Sequence, residues 1–254
     1  MSEPLVSIIT PTYGRDQFLR LLYSCVKSQD WPNFEWLIDD DSPDISGFAK
    51  SCHDERVKYH HHPSRRSVGT KRNDLIRRAS GEYVVHFDDD DYYAAGYLSH
   101  HLALMMSRNL DCIKLTGFFI YDEVTSQLRY WDQTKTVGPH FVCKKGQPRR
   151  VVAFGSDDQQ ESLKFQLGFG FSYGYRRSVW NSVKFPDLNF CEDLSFMREA
   201  VKQHSFEFVR DTSALCCHII HAGNTSGCFP QYVLPDFMVN TLFPLAKPYF
   251  RGVS

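Results

Sequence analysis

The 254-residue sequence has no long apolar run, since none approaches the roughly 18 to 20 residues that a bilayer-spanning helix needs. Its N-terminus, Met-Ser-Glu-Pro, also lacks the basic segment and apolar stretch of a secretory leader. We therefore expect a protein without a transmembrane segment that remains in the cytoplasm.

The sequence has little net charge, because 29 Lys and Arg residues stand against 30 Asp and Glu residues. Nucleic-acid-binding proteins neutralise phosphates with a basic surface, so this balance argues against a nucleic-acid partner. The eight cysteines contain no Cys-x-x-C pair, which favours reduced thiols over a disulfide framework. Hydrophobic residues at 42% and charged residues at 23% are ordinary globular usage and exclude a mainly disordered chain.

Apolar runs and amphipathic stretches alternate in the first hundred residues. The pattern predicts strands over residues 5–10, 34–38, 57–60 and 83–87, and helices over residues 16–27 and 69–79. This order predicts an α/β fold with an open, mostly parallel sheet flanked by helices.

The second half of the chain adds elements of α+β character. We predict helices over residues 97–108 and 192–202, and strands over residues 112–121, 128–131, 169–175 and 206–220, around a segment at 137–158 that is rich in Gly, Pro and charge. Because no linker or internal repeat interrupts the pattern, we expect a single domain over residues 1–254 with functional halves at about 1–100 and 101–254.

Two runs of aspartates follow predicted strands, at residues 39–41 and 88–91. In open parallel sheets, ligands bind at the carboxyl ends of the strands, so both runs are expected to share one crevice. Adjacent carboxylates repel one another, and a hard cation such as Mg²⁺ or Mn²⁺ relieves that repulsion. If the segment is extended, Asp88 and Asp90 point to one side as a pair. On this cluster alone, a solvated acidic turn that caps the next helix stays equally open.

Five segments together resemble family 2 glycosyltransferases of the GT-A fold, in order and approximate spacing. They are VSIITPTYGR, FEWLIDDDSPD, GTKRNDLIRRASGEYVVHFDDDDYYAAGYL, GFGFSYGYRRSVW and CEDLSFMREAV. The resemblance implies a Rossmann-like sheet with an acceptor-side α+β half. It also implies an inverting transferase that takes a sugar from a nucleoside-diphosphate sugar, with UDP favoured, and usually uses Mn²⁺ or Mg²⁺. The acceptor is a hydroxyl of a saccharide, a lipid-linked molecule or a protein.

The same resemblance implies a nucleotide-binding set. Thr12 and Tyr13 are expected against the base and ribose, and Asp40 is expected to accept a hydrogen bond from the base. The remaining members of the set are Arg72, Asn73 and Asp89. A rim aromatic at Tyr13 and a solvated basic helix start at residues 71–73 are the alternatives.

The resemblance also implies catalytic and metal-binding residues. Asp88 and Asp90 match the Asp-x-Asp motif that binds the metal, and Asp193 matches the catalytic base of a Glu-Asp pair. His221, in HAGNTSG, is the better candidate for a third metal ligand, and His218 is the poorer one. The alternative for the Glu-Asp pair is that both are ordinary acids at a helix N-terminus. The alternative for the histidine is a hydrogen-bonded surface residue.

Two other functions stay open at this point. A sugar-1-phosphate nucleotidyltransferase normally has a Gly-rich basic loop after the first strand, whereas PTYGRDQ has one glycine. A non-catalytic GT-A-like protein that binds nucleotide sugars or glycans is the other alternative. Three adjacent histidines at 60–62 do not predict a zinc site, because they cannot all face one ion on an extended segment.

Overall fold

The computed structural model describes residues 3–158, 164–221, 223–224 and 226–250. Its contacts divide the chain into two compact units that interleave along the sequence. The first unit comprises Met1–Asp90, Ala95–Lys114 and Leu167–Glu207, and the second comprises Asp91–Ala94, Leu115–Gln166 and Phe208–Ser254. The single domain with a boundary near residue 100 between functional halves stays a prediction.

The helices and strands follow one another in this order: β1 (Val6–Thr12), α1 (Asp16–Lys27), β2 (Phe34–Asp40), α2 (Gly47–Ser51), β3 (Val57–His61), α3 (Val68–Arg78), β4 (Tyr83–His86), β5 (Tyr92–Tyr93), α4 (Tyr97–Ser107), β6 (Cys112–Asp122), β7 (Gln127–Asp132), β8 (Gly138–Val142), β9 (Arg150–Phe154), β10 (Tyr173–Arg176), α5 (Arg177–Ser182), α6 (Glu192–Ala200), β11 (Phe206–Arg210), β12 (Cys216–Ile220), β13 (Tyr232–Val233) and α7 (Phe237–Leu242).

The first unit contains a mostly parallel sheet in the order β10-β4-β1-β2-β3. β1 runs parallel to β2 and β4, β2 runs parallel to β3, and β10 is antiparallel to β4. β1 and β2 are almost wholly buried along their length, as expected for strands covered on both faces. The arrangement confirms the predicted α/β class.

The core of the first unit lies against this sheet. Helix α3 contributes Leu75 and Ile76, α6 contributes Phe196 and Met197, and all four side chains are fully buried. Phe196 stacks on Phe185 with ring centroids 4.0 Å apart. The apolar spacing of both helices therefore directs one face of each into a single core.

The second unit is built around the later part of β6. That part pairs antiparallel with β7 and parallel with β12, which in turn pairs with β5. Phe119 and Tyr92 both pack edge-on against Phe243, with centroids 5.4 and 5.8 Å away. Many of the aromatic side chains of this protein therefore lie in its core.

The segment at 137–158 differs from its prediction as an irregular region. It contains a hairpin, in which β8 and β9 pair from Gly138↔Phe154 to Val142↔Arg150. Gly146 takes a positive φ of 68° between the strands. The first of these strands begins with Gly138 and Pro139, which are not typical of a strand interior, so the sequence did not indicate it.

Gly69 is a position where no side chain fits. A Cβ built there would lie 1.8 Å from the carbonyl oxygen of Pro186, because the Gly69 amide donates to Leu188 O across the same contact. We expect Gly69→Ala to lower the free energy of unfolding by about 1–3 kcal/mol or more, since the opposing atom is backbone.

Gly47→Ala is the matched control, because it also lies in the first turn of a helix, and its nearest neighbour is the flexible Arg20 guanidinium, 3.3 Å from the added Cβ. Urea unfolding of both variants tests this account. Equal stabilities would contradict the close approach.

Candidate active site

The carboxyl ends of β1, β2 and β4 bring together several of the predicted site residues. Thr12 at the end of β1 is in register with Asp40 at the end of β2. The Thr12 hydroxyl donates to Asp89 Oδ2 over 2.6 Å, which joins β1 to the segment after β4. We call the carboxylates of Asp39, Asp40, Asp41, Asp88, Asp89 and Asp90 the acidic edge.

The aspartates after β4 do not alternate along an extended segment, so that prediction was wrong. β4 ends at His86, and Asp89 and Asp90 form a turn. Both of these carboxylates lie 2.6 Å from Nη1 of Arg15, whereas Asp88 lies 3.3 Å from Nη2 of Arg72.

The carboxylate of Asp89 is difficult to ionise. Burial, and then the neighbouring charge of Asp90, raise its pKa to about 7 against the opposing effects of Arg15 and Thr12. A raised pKa in a buried acidic cluster is the electrostatic condition that a bound divalent cation relieves. Arg15 and Arg72 already pair with these carboxylates, so the metal predicted at Asp88 and Asp90 competes with guanidinium groups for them and stays a prediction.

The carboxylates of β2 have partners within the first unit. Asp40 accepts hydrogen bonds from the Ser42 amide (2.9 Å), the Ser42 hydroxyl and the Tyr59 hydroxyl (2.6 Å). Burial, and then this bond to Asp40, raise the pKa of Tyr59. Asp41 accepts from Lys71 Nζ (2.7 Å) and the Arg66 amide (2.7 Å). The two carboxylates thus differ, since Asp41 forms a buried ion pair and Asp40 accepts from neutral donors.

Asp39, His62 and Asp74 each bring one potential ligand atom to within 4.8 Å of the others. Arg66 pairs with both aspartates, and Arg78 lies 3.6 Å from Asp39. Two guanidinium groups repel a further cation, so this group is an ion-pair network rather than a metal site.

Arg72 is fully buried at the centre of the first unit. Its guanidinium contacts Asp88 (3.3 Å), Glu192 (3.3 Å) and Nδ1 of His86 (2.6 Å). Burial, and then Arg72, hold the pKa of His86 well below its usual value, so the ring is neutral and donates from Nε2 to Tyr175 (2.8 Å). Arg72 therefore links the segment after β4 to α6, and its predicted contact with a nucleotide stays a prediction.

Asn73 uses both ends of its side-chain amide within the protein. Its Nδ2 donates to Phe185 O (2.8 Å), and its Oδ1 accepts from Trp180 Nε1 (2.8 Å). These bonds hold the segment before α6 against α3. A contact with a nucleotide would come in addition to them and also stays a prediction.

Asp193 lies half-buried in the first turn of α6. Its Oδ2 accepts from the Gly170 amide (2.8 Å), and its Oδ1 accepts from the Leu194 amide (2.7 Å). A Cβ on Gly170 would lie 3.0 Å from the Asp193 Cβ, so this glycine allows the close approach. Burial raises the pKa of the adjacent Glu192, against the effect of Arg72.

Lys114 is a site residue that the sequence interpretation missed. It lies fully buried in β6, and its Nζ is 5.9 Å from the centre of the Phe169 ring. Burial holds its pKa well below the usual value, and the charge of Asp193 opposes that shift. The feature of the sequence that could have indicated Lys114 is a single lysine within the apolar strand CIKLTGFFI.

Tyr13 lies beyond β1 with its ring partly exposed. The Arg65 guanidinium stacks over that ring at 3.4 Å and pairs with Asp41 at 2.9 Å. The ring face is therefore already used for stacking on a flat, delocalised group, which is the geometry that a base would also take.

The two candidate histidines belong to the second unit. His218 Nδ1 lies 2.8 Å from Asp91, whose charge raises the pKa of His218 well above its usual value although burial opposes the rise. His221 Nδ1 accepts from the Gly223 amide (2.9 Å), and Ala222 and Thr225 of this loop lie outside the described residues. The metal contact of His221 stays a prediction.

The family model described as "Glycosyl transferase family 2" matches residues 7–181, more than half of the chain. The putative colanic acid biosynthesis glycosyl transferase WcaA of Escherichia coli is 33% identical over 106 residues, which cover 40% of this chain and 38% of that protein.

Two further curated relatives have more specific names. The Escherichia coli UDP-Glc:alpha-D-GlcNAc-diphosphoundecaprenol beta-1,3-glucosyltransferase WfgD is 31% identical over 112 residues, 43% of this chain and 44% of that protein. The Campylobacter jejuni GalNAc(5)-diNAcBac-PP-undecaprenol beta-1,3-glucosyltransferase is 31% identical over 101 residues, 38% of this chain and 33% of that protein. The chain thus spans less than half the length of each of these relatives.

Solved structures share the fold. S. aureus TarS 1-349 in complex with UDP-GlcNAc has a TM-score of 0.63 at 19% identity, covering 86% of this chain and 59% of that one. The mannosyltransferase PcManGT from Pyrobaculum calidifontis, in complex with GDP-Man and Mn²⁺, has a TM-score of 0.58 at 17% identity, covering 89% and 59%. These likenesses confirm the predicted GT-A fold.

Among the helices that the structure describes, none combines the length and apolar composition that crossing a bilayer requires.

The Lys71–Asp41 ion pair gives a test of the acidic edge. Both side chains are almost fully buried, so Lys71→Met leaves a buried carboxylate that still pairs with the more exposed Arg65, and it is expected to lower the free energy of unfolding by up to about 3–5 kcal/mol at pH 7. Burial opposes ionisation of Asp41, but Lys71 and the Arg66 amide hold its pKa below the usual value. The pair therefore stabilises the fold above about pH 4, the unfolded pKa, and this contribution is lost as pH falls through the lower folded value.

Arg65→Met is the control, because Arg65 pairs with the same carboxylate from a side chain that is 57% exposed, and we expect it to cost at most about 1 kcal/mol. Urea unfolding at pH 7 and at pH 3 measures both variants. Equal losses, or a Lys71→Met deficit that does not shrink at pH 3, would contradict the assignment.

Proposed function

The chain belongs to glycosyl transferase family 2, and from that premise we propose that it is an inverting glycosyltransferase. It moves a sugar from a nucleoside-diphosphate sugar to a hydroxyl acceptor, and a UDP-sugar is favoured. One observation carries the proposal: buried Arg72 contacts Asp88 on one side and Glu192 on the other. The predicted metal ligand and the helix that bears the predicted base are therefore held together within the first unit.

In this proposal, the ends of β1 and β2 bind the nucleotide. Tyr13 stacks on the base, Asp40 accepts a hydrogen bond from it, and Thr12 orients Asp89 beside the ribose and diphosphate. Asp40 suits this role because its present partners are neutral hydroxyl and amide donors, which a base can replace without stranding a charge. Asp41 does not suit it, because Lys71 already neutralises it.

Mn²⁺ or Mg²⁺ fits the carboxylates of Asp88 and Asp90, as the raised pKa of Asp89 between them supports. When bound, such an ion neutralises the diphosphate that departs with the nucleotide. Arg72 fixes the Asp88 carboxylate from behind, and Arg15 contacts Asp90.

Asp193 is proposed as the base that takes the proton of the acceptor hydroxyl. Backbone amides of Gly170 and Leu194 orient its two oxygens, and the N-terminus of α6 favours the ionised form that a base needs. Arg72 adds positive charge nearby. The acid Glu192 is tied to Arg72 and is therefore less available.

The names of two relatives support the stereochemistry and the acceptor. Both are named beta-1,3-glucosyltransferases that act on undecaprenol-linked saccharides, and one is named for UDP-Glc. A β-linked product from UDP-glucose, whose sugar bond is α, requires inversion. We propose a saccharide hydroxyl on a diphosphate-linked lipid carrier as the acceptor class.

Asp193→Asn tests the base. The amide keeps the size of the side chain but cannot take up a proton, so kcat is expected to fall by about two to four orders of magnitude while donor affinity stays near wild type. Product assays measure transfer, calorimetry measures donor binding, and NMR of the wild-type product gives the anomeric configuration.

Glu199→Gln on the same helix is the control. Glu199 is exposed, and in the described part of the chain its carboxylate pairs with the exposed Lys202. It should retain wild-type kcat. An active Asp193→Asn enzyme, or a product with retained configuration, would remove Asp193 from the role of base.

A further inference from the structure

Arg15 places one nitrogen between two carboxylates of the acidic edge. Its Nη1 lies 2.6 Å from Asp89 Oδ1 and 2.6 Å from Asp90 Oδ2. The backbone holds this position, because the Arg15 carbonyl accepts the amides of Phe18 (3.0 Å) and Leu19 (3.1 Å) in the first turn of α1. The guanidinium is therefore aimed at the carboxylates by the start of a helix.

The turn before Arg15 fixes its direction. Gly14 takes a positive φ of 64°, and its amide donates to the Ser42 hydroxyl over 2.7 Å. Ser42 is in turn bound to Asp40. The loop that presents Arg15 is thus anchored to the proposed base-binding carboxylate.

The side chains of Arg15 and of its two carboxylate partners differ in their exposure to solvent. The Asp89 and Asp90 side chains are 4% and 8% exposed, whereas the Arg15 side chain is 29% exposed. The Thr12 hydroxyl also holds Asp89. The two carboxylates are therefore more enclosed than the Arg15 side chain that pairs with them.

The Arg15 guanidinium and a divalent cation repel each other, because both are positive and like charges a few Å apart interact strongly in a partly buried site. Since one nitrogen of Arg15 already holds both Asp89 and Asp90, a metal at Asp90 competes with Arg15 for that carboxylate. An arriving diphosphate offers the displaced guanidinium a new anionic partner.

We propose that Arg15 is an internal counter-cation that competes with the metal for Asp90, so that the metal binds weakly alone and tightly together with a nucleoside diphosphate. The proposal rests on the function proposed above, because it concerns the same metal. It makes Arg15 a positioning residue that couples two binding events.

The test is a titration with Mn²⁺ alone at pH 8.5, in which electron paramagnetic resonance measures the bound and free Mn²⁺. Arg15→Met should bind Mn²⁺ about tenfold more tightly than wild type, within the usual 5- to 150-fold range of coupling between two sites. Arg15→Lys retains the positive charge and should stay near wild type. Arg20→Met is the matched control, because Arg20 lies on α1, the helix that begins directly after Arg15 in the chain, and pairs with the partly exposed Asp16.

The titration repeated with saturating UDP measures the coupling directly. The gain in Mn²⁺ affinity that UDP produces should be smaller in Arg15→Met than in wild type. Backbone anchoring of residue 15 does not depend on its side chain, and thermal unfolding of each variant checks that the fold is retained. Arg15→Gln is the substitute if Arg15→Met does not fold.

Asp90→Asn separates this proposal from the one on which it rests. If Asp90→Asn loses Mn²⁺ binding but neither Arg15→Met nor its substitute binds Mn²⁺ more tightly, the competition is overturned while the metal site stands. If Asp90→Asn binds Mn²⁺ as wild type does, the metal site itself is overturned. An Arg20→Met variant that tightens Mn²⁺ binding as much as Arg15→Met would reduce the effect to general surface charge and overturn the proposal.

Discussion

Neutralisation of like charges at one edge of a parallel sheet is the constraint on which the first unit depends. Parallel strands end side by side, so the aspartates after β2 and β4 are forced close together in a partly buried place. All of them except Asp40, which accepts from neutral donors, pair with a cation: Arg66 with Asp39, Lys71 with Asp41, Arg72 with Asp88, and Arg15 with Asp89 and Asp90. An acidic edge without these partners would oppose folding, because buried unpaired charges are costly.

Helix α3 combines two tasks because of this constraint. Its first half buries Lys71 and Arg72 to neutralise the acidic edge, and its second half buries Leu75 and Ile76 in the core. The same helix rests on the Phe185 segment through Asn73 and on Pro186 at Gly69. The position of α6, and with it that of Asp193, therefore follows from how α3 is packed.

The sequence was sufficient for what depends on local pattern. Strands such as β1 and β2 are largely apolar runs. The aspartate runs at the end of β2 and after β4 predicted a ligand-binding edge. Contacts that depend on distant parts of the chain could not be inferred in this way. Arg72 was interpreted as a nucleotide contact, with a solvated basic helix start as the alternative, yet the side chain is buried and its partners His86 and Glu192 lie in elements whose proximity only the fold defines. Lys114 was overlooked for the same reason, since its relation to Asp193 joins β6 to α6. The predicted alternation of the Asp88 and Asp90 side chains was wrong, because β4 ends at His86 and a turn follows it.

The most direct test of the central claim, that the acidic edge after β4 binds the metal of a nucleotide sugar, is anomalous scattering from a crystal grown with MnCl₂ and UDP. The account predicts a manganese peak in contact with Asp90, with density for the diphosphate beside it and the Arg15 guanidinium displaced. A peak at Asp39, His62 and Asp74, or ordered UDP with no manganese at Asp90, would contradict it.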